Sequence, residues 1–306
     1  MDYPRPLVLG PLRLPHKQTF VLLHGLGSRG EKFGPVLLET PFAASLSSSS
    51  SPNNPPSTAT LRESFPHARF VFPTAALRRA TLYKRSLTHQ WFNSWKLDPP
   101  ATDREDLQAP GLKETTIYLH NLLREEIALV PGGSSNIVFG GLSQGCAASL
   151  TAMLLWEGER LGAVVGMCGW LPFAERLVEQ AESDKDGDGI GDDFDPFARD
   201  DEDGQGEATL NPPARAVGWL REELGLPSTT PPSVSFKFQE TTFFLGHGMQ
   251  DDRVSVVLGR RASECLSIVG GRVCSKEYDP LGHWYSGDML RDMVHFIRKE
   301  TGWNVE

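Results

Sequence analysis

Six short apolar runs dominate this chain: Thr19–Leu23, Ala68–Phe72, Asn136–Phe139, Gly162–Met167, Thr242–Leu245 and Arg272–Tyr278. Most are continuous in hydrophobicity rather than alternating, as expected of strands covered on both faces in a parallel sheet. Helical patterns lie between them. Over Thr115–Val130 the stripe Leu119, Leu122, Leu123, Ile127 and Val130 faces one way, and Pro131-Gly132-Gly133 stops it. Near the end, Ser286 is placed to cap a helix with Met289, Leu290, Met293, Phe296 and Ile297 inward, and Gly302 follows it. Strands alternating with helices imply βαβ units and an open α/β sheet. A hydrophobic content of 39% with 9% aromatics supports a substantial core and excludes wholesale disorder.

The passage Asn136–Leu150 carries the chemistry. A buried strand runs into Gly141-Leu142-Ser143-Gln144-Gly145, and a small-residue helix follows. This is the strand–turn–helix setting of a nucleophile elbow, whose glycines permit a turn too sharp for side chains. An activated serine needs a general base and a residue to orient it, which the α/β-hydrolase arrangement places in the chain order Ser, acid, His. The strand ending at Gly246-His247-Gly248 leads to Asp251, and the next strand leads to His283, so the order Ser143, Asp251, His283 is satisfied. Asp252 stays open as an alternative acid, whereas Asp279 is too close to His283 in sequence to orient it easily. His24 and His247 each precede a glycine at a strand end and are read as shaping turns. The expected oxyanion donors are the backbone N–H of Gln144, directly after the nucleophile, and that of Leu26 in the loop His24-Gly25-Leu26-Gly27.

Taken together, His24-Gly25-Leu26-Gly27, Gly141–Gly145, Gly169-Trp170-Leu171-Pro172, His247-Gly-x-x-Asp251 and Gly282-His283 resemble the phospholipase/carboxylesterase family, which includes the acyl-protein thioesterases. The resemblance implies a compact α/β-hydrolase with a mostly parallel sheet and helices on both faces. It implies action on acyl esters or thioesters, such as S-acylated proteins or lysophospholipids, with no cofactor. The family has an aromatic element lining the acyl site where this chain has Gln90–Trp95. Trp91 and Phe92 are therefore expected to face the substrate, with Trp170 beneath the elbow, and plain core packing is the competing reading. The chain departs from the family's pattern at Met249 and at Asp252, where an acidic residue and a proline are usual.

Two stretches interrupt the α/β rhythm of a chain otherwise read as one domain, 1–306. Residues 43–60 form a Ser/Pro-rich insertion expected to be a surface loop, and residues 182–212 form an acidic one. Between Glu182 and Glu207 lie twelve acidic and two basic residues, so the formal net charge of −9 belongs to that segment. Within it Asp184, Asp186, Asp188, Asp192 and Asp195 fall at positions 1, 3, 5, 9 and 12 around Gly189, a calcium-loop pattern without the closing Glu. Its two readings are a Ca²⁺ site and a solvated acidic loop. A catalytically weak scaffold responding to calcium is accordingly the alternative function. The acidic balance argues against a nucleic-acid partner. Four cysteines without a pairing framework, and no signal peptide or membrane-length apolar run, lead to the expectation of a cytoplasmic protein without stable membrane insertion.

Overall fold

The computed structural model describes residues 2–44, 57–183, 211–227 and 235–303. The apolar runs become the strands β2 (Gln18–Leu23), β5 (Ala68–Phe72), β8 (Ile137–Leu142), β9 (Ala163–Met167), β10 (Thr242–Gly248) and β11 (Arg272–Tyr278). With β1 (Leu7–Leu9) they form a seven-stranded sheet in the order β1-β5-β2-β8-β9-β10-β11. Every pairing is parallel except that of β1 with β5.

Successive side chains of one strand enter different cores, which explains why the runs lack polar alternation. In β2, Val21 and Leu23 join one apolar cluster and Phe20 and Leu22 the other. In β10, Phe243 and Leu245 divide from Phe244 in the same way. One face is covered by α3 (Ala109–Leu129), α4 (Gln144–Leu154), α5 (Ala174–Glu182), α6 (Pro212–Glu223), the short α7 (Lys237–Glu240) and α8 (Val256–Ile268). The other is covered by α1 (Gly30–Glu39), α2 (Leu61–Ser64) and α9 (Gly287–Thr301). This is the α/β-hydrolase architecture the sequence implied.

The expected helix over Thr115–Val130 begins six residues earlier, at Ala109, with a proline in its first turn. The cap at α9 forms as expected: Ser286 Oγ accepts from Met289 N at 3.1 Å, and Gly302 closes the helix at φ 73°. The 43–60 stretch is not a loop throughout, since β3 (Phe42–Ala43) pairs antiparallel with β4 (Thr58–Ala59). Around the acidic stretch, α5 runs on to Glu182 and Asn211 caps α6 through Ala214 N. Residues 45–56 and 184–210 lie outside the described residues. A hairpin that the apolar pattern does not signal, β6 (Leu77–Ala80) with β7 (Ser86–His89), projects between β5 and α3.

Candidate active site

Ser143 sits between the end of β8 and the start of α4, at φ 56° and ψ −121°. A non-glycine residue rarely adopts that backbone, and it persists only where the surroundings impose it. Here Ser143 N donates to Met167 O at 2.8 Å, fixing the turn to β9, while α4 is buried along its whole length. The flanking glycines answer close approach. A Cβ on Gly141 would meet Leu23 O at 2.6 Å, and one on Gly145 would meet the same oxygen at 2.5 Å. Main-chain oxygens cannot swing aside, so this turn admits no side chain at either position.

The candidate acid and base, Asp251 and His283, lie on the loops after β10 and β11, which are bonded to each other. Met249 N donates to Tyr278 O and Gln250 N to Leu281 O, both at 2.9 Å. Across this seam His283 Nδ1 lies 2.8 Å from Asp251 Oδ2, and His283 Nε2 lies 2.9 Å from Ser143 Oγ. A carboxylate only accepts, so Nδ1 carries the proton and Nε2 of the neutral ring accepts from the serine hydroxyl. The other oxygen, Asp251 Oδ1, accepts from Arg253 N and Val254 N, both at 2.9 Å. Burial alone pulls the Asp251 carboxyl upward. Hydrogen bonds from His247, His283 and these two amides outweigh it, and the group is held well below the usual carboxylate range.

The structure also separates the alternatives left open by sequence. The Asp251 side chain is 0% exposed against His283, whereas Asp252 faces solvent. Asp279 Oδ1 instead accepts from Gln250 Nε2 at 3.1 Å. His247, 5% exposed, donates through Nε2 to Val254 O at 2.8 Å and lies 3.3 Å from Asp251 Oδ2, so it braces the acid loop.

The glycine-rich loop after β2 lies against the elbow. Among the described residues the Leu26 N–H has no hydrogen-bond partner, while Gly27 N donates to His89 O and Ser28 N to Gly25 O. His24 holds the loop from below: its Nε2 accepts from Ala75 N at 3.0 Å, and Nδ1–H donates to Gly25 O at 2.7 Å. Burial pushes the His24 imidazole down to about 4, which keeps it neutral for both roles.

Ser143, Leu26, Gln144, His283 and Trp170 all line one cavity of about 500 Å³. Trp91 and Phe92, expected to face substrate, do not. Both are 0% exposed in the core. The Trp91 indole N–H donates to His24 O at 2.8 Å, and the Gln144 amide bridges Trp91 N and Phe92 O. These aromatics brace the glycine-rich loop and the elbow rather than forming the wall. The apolar wall is Leu82 and Tyr83 of the hairpin with Trp95, Leu97 and Trp284, none of which the sequence had marked as site residues. Trp95 closes the same aromatic run and Trp284 follows the base, so their positions were the available signal.

The acidic positions Asp184, Asp186, Asp188, Asp192 and Asp195 lie outside the described residues. Among the described residues no group of three or more His, Cys, Asp or Glu is arranged to hold a metal ion, and no helix is long and apolar enough to cross a membrane. The four cysteines are free thiols, three of them buried.

A family model described as Phospholipase/Carboxylesterase matches residues 56–185 and 221–301, more than half of the chain. The chain belongs to that family. As a phospholipase/carboxylesterase it is a serine hydrolase, the enzyme class the sequence implied. It is similar to the acyl-protein thioesterase 1 of Yarrowia lipolytica, at 30% identity over 180 residues covering 58% of this chain and 67% of that protein. The acyl-protein thioesterase 1 of Schizosaccharomyces pombe is 28% identical over 163 residues, covering 53% of this chain and 60% of its own. Those matches thus span about two thirds or less of the relatives' length. The crystal structure of Zea mays acyl-protein thioesterase 2 aligns at a TM-score of 0.63 and 21% identity, covering 98% of this chain and 100% of that one, a likeness of fold.

Proposed function

We propose that this chain hydrolyses acyl esters or thioesters through a covalent acyl-enzyme on Ser143. The observation that carries the reading is the unbroken hydrogen-bond chain Asp251–His283–Ser143, ending in a cavity with a largely apolar wall. Ser143 Oγ attacks the acyl carbonyl as its proton passes to His283 Nε2, and Asp251 holds the imidazole in the tautomer able to take it. The N–H groups of Leu26 and Gln144 receive the tetrahedral oxyanion, Gln144 from the first turn of a helix whose dipole favours negative charge. His283 then protonates the departing alcohol or thiol. Water, deprotonated by the same histidine, releases the acid and restores Ser143. Every step uses the chain's own residues and water, so the scheme calls for no cofactor.

The apolar wall suits a fatty acyl chain; the thioesterase relatives support an S-acylated protein as the natural substrate, and the phospholipase/carboxylesterase family model makes a lysophospholipid the other substrate of this reading. The chain acts, in this reading, as one cytoplasmic domain carrying two surface insertions, 43–60 and 182–212. Steady-state hydrolysis of p-nitrophenyl esters from acetyl to palmitoyl, with Ser143→Ala alongside, tests the assignment. Activity that vanishes in Ser143→Ala, with loss of fluorophosphonate labelling, is the expected result. Equal turnover or equal inertness of the two proteins at every chain length sinks it.

A further inference from the structure

The loop that supplies the proposed acid also brings a cation into the cavity. Among the described residues lining that space, Arg253 is the sole Lys, Arg, Asp or Glu. Its guanidinium has no ion pair among the described residues. The next arginines along the chain are both paired, Arg260 with Glu277 and Arg261 with Glu175 and Glu264. Nor is its placement loose. Arg253 N is held by Asp251 Oδ1, the carboxylate that also orients His283, and the adjacent Val254 is 2% exposed with its carbonyl tied to His247. The backbone is therefore set relative to the reacting serine, and only the long side chain is free to meet a ligand.

The cavity lining carries one full charge. Residues 82–97 contribute Leu82, Tyr83, Trp95 and Leu97 and the segment after β11 contributes Trp284, apolar surface for an acyl chain, whereas the acid loop contributes, beside the buried Val254, the exposed charge of Arg253. With the acyl chain on the apolar surface, the part of the substrate left to meet Arg253 is the leaving group. His283 becomes cationic as Ser143 attacks, and a guanidinium lining the same cavity opposes that charge unless an anion offsets it. We propose that Arg253 is a specificity-determining residue that selects acyl esters and thioesters whose leaving group carries an anionic group. The inference rests on the hydrolase reading above and names its substrate class.

Two octanoyl thioesters separate the two claims: one of 3-mercaptopropionate, which is anionic, and one of its neutral amide, matched in size. The ratio of their kcat/KM values is the readout. The wild-type enzyme should favour the anionic thioester about fivefold at low ionic strength, the scale of a partly exposed ion pair. That ratio should shrink toward one as salt screens the guanidinium. Arg253→Gln should bring it to about one, Arg253→Glu should invert it, and Arg253→Lys should retain most of it. A variant that merely disturbs the loop lowers both substrates together and leaves the ratio where it was, and that result overturns the proposal. A wild-type ratio of one or below overturns it as well. Hydrolysis of the neutral thioester reports separately on the hydrolase reading: if the wild-type enzyme cleaves neither thioester, both fall.

Discussion

Replacing Asp251 by Asn tests the site most sharply, because the surroundings dictate which way the new amide must point. Asp251 Oδ1 accepts two backbone N–H groups, from Arg253 and Val254, each at 2.9 Å. An asparagine keeps both bonds only with its carbonyl oxygen there, since the reverse orientation sets an NH₂ against two donors. The NH₂ is then forced onto His283 Nδ1, now 2.8 Å from Oδ2, and Nδ1 must become an acceptor. The ring proton moves to Nε2, which faces Ser143 Oγ at 2.9 Å and can no longer take its proton. Wrong-tautomer substitutions of this kind in serine proteases cost about 10⁴-fold in kcat, or about 5 kcal/mol of transition-state stabilisation. The loss should fall in kcat, because Asp251 does not line the cavity. Steady-state kinetics on a p-nitrophenyl ester, with the rate of fluorophosphonate labelling in parallel, measure it. Activity within about tenfold of wild type in Asp251→Asn refutes the argument, and so does an equal loss in the solvent-facing Asp252→Asn.

Three further outcomes rest on local geometry. Ser143→Gly removes the side chain from a backbone at φ 56°, so it should abolish turnover yet raise unfolding stability by about 1 kcal/mol, read by chemical denaturation. Gly145→Ala places a Cβ 2.5 Å from Leu23 O and 2.6 Å from His24 O; it should cost about 3 kcal/mol or more and disturb the oxyanion loop, seen as lost stability together with lost activity. Burial lowers the imidazoles of His24 and His120 to about 4, so from pH 6.5 down to about 4 the unfolded chain binds protons the folded one refuses, and stability falls with acidity. Each contributes a slope of about 1.4 kcal/mol per pH unit. His120→Gln, whose parent imidazole donates to Ala152 O away from the cavity, should flatten the total by that amount in denaturation midpoints taken across the window; an unchanged slope contradicts the assignment.

Burial and turn geometry decide which parts of this molecule are legible in its sequence. The central strands were readable because each is covered on both faces, as the division of Val21 and Leu23 from Phe20 and Leu22 shows. The meeting of Ser143 with His283 was readable because an elbow demands its glycines and the α/β-hydrolase chain order expects a histidine after a later strand. The choice between Asp251 and Asp252 was not written, because neighbouring acids differ only in which way the turn points them. Trp91 and Trp95 posed the same difficulty. Both belong to one aromatic run directly after the β6–β7 hairpin, yet the first is a buried strut bonded to His24 O and the second is part of the cavity wall. That hairpin left no hydrophobic signature, since β7 buries no residue fully and Leu77 and Leu87 are exposed.

The buried aromatic strut has a mechanical consequence. Trp91 donates its indole N–H to His24 O and its backbone N–H to Gln144 Oε1, so one residue is bonded to both segments expected to supply oxyanion donors. Gln144 returns a bond to Phe92 O, and His24 is pinned in turn between Ala75 N and Gly25 O. The Leu26 N–H therefore cannot shift far from the Gln144 N–H without straining these bonds, and those of Trp91, Gln144 and Ala75 N lie among buried groups that would be left without water to replace a partner. Preorganised donors of this kind stabilise a developing oxyanion because they need no reorientation when the charge appears. The neutrality of His24 belongs to the same device. Its Nε2 is the acceptor for Ala75 N, so a proton there would break the bond that seats the loop as well as bury a charge.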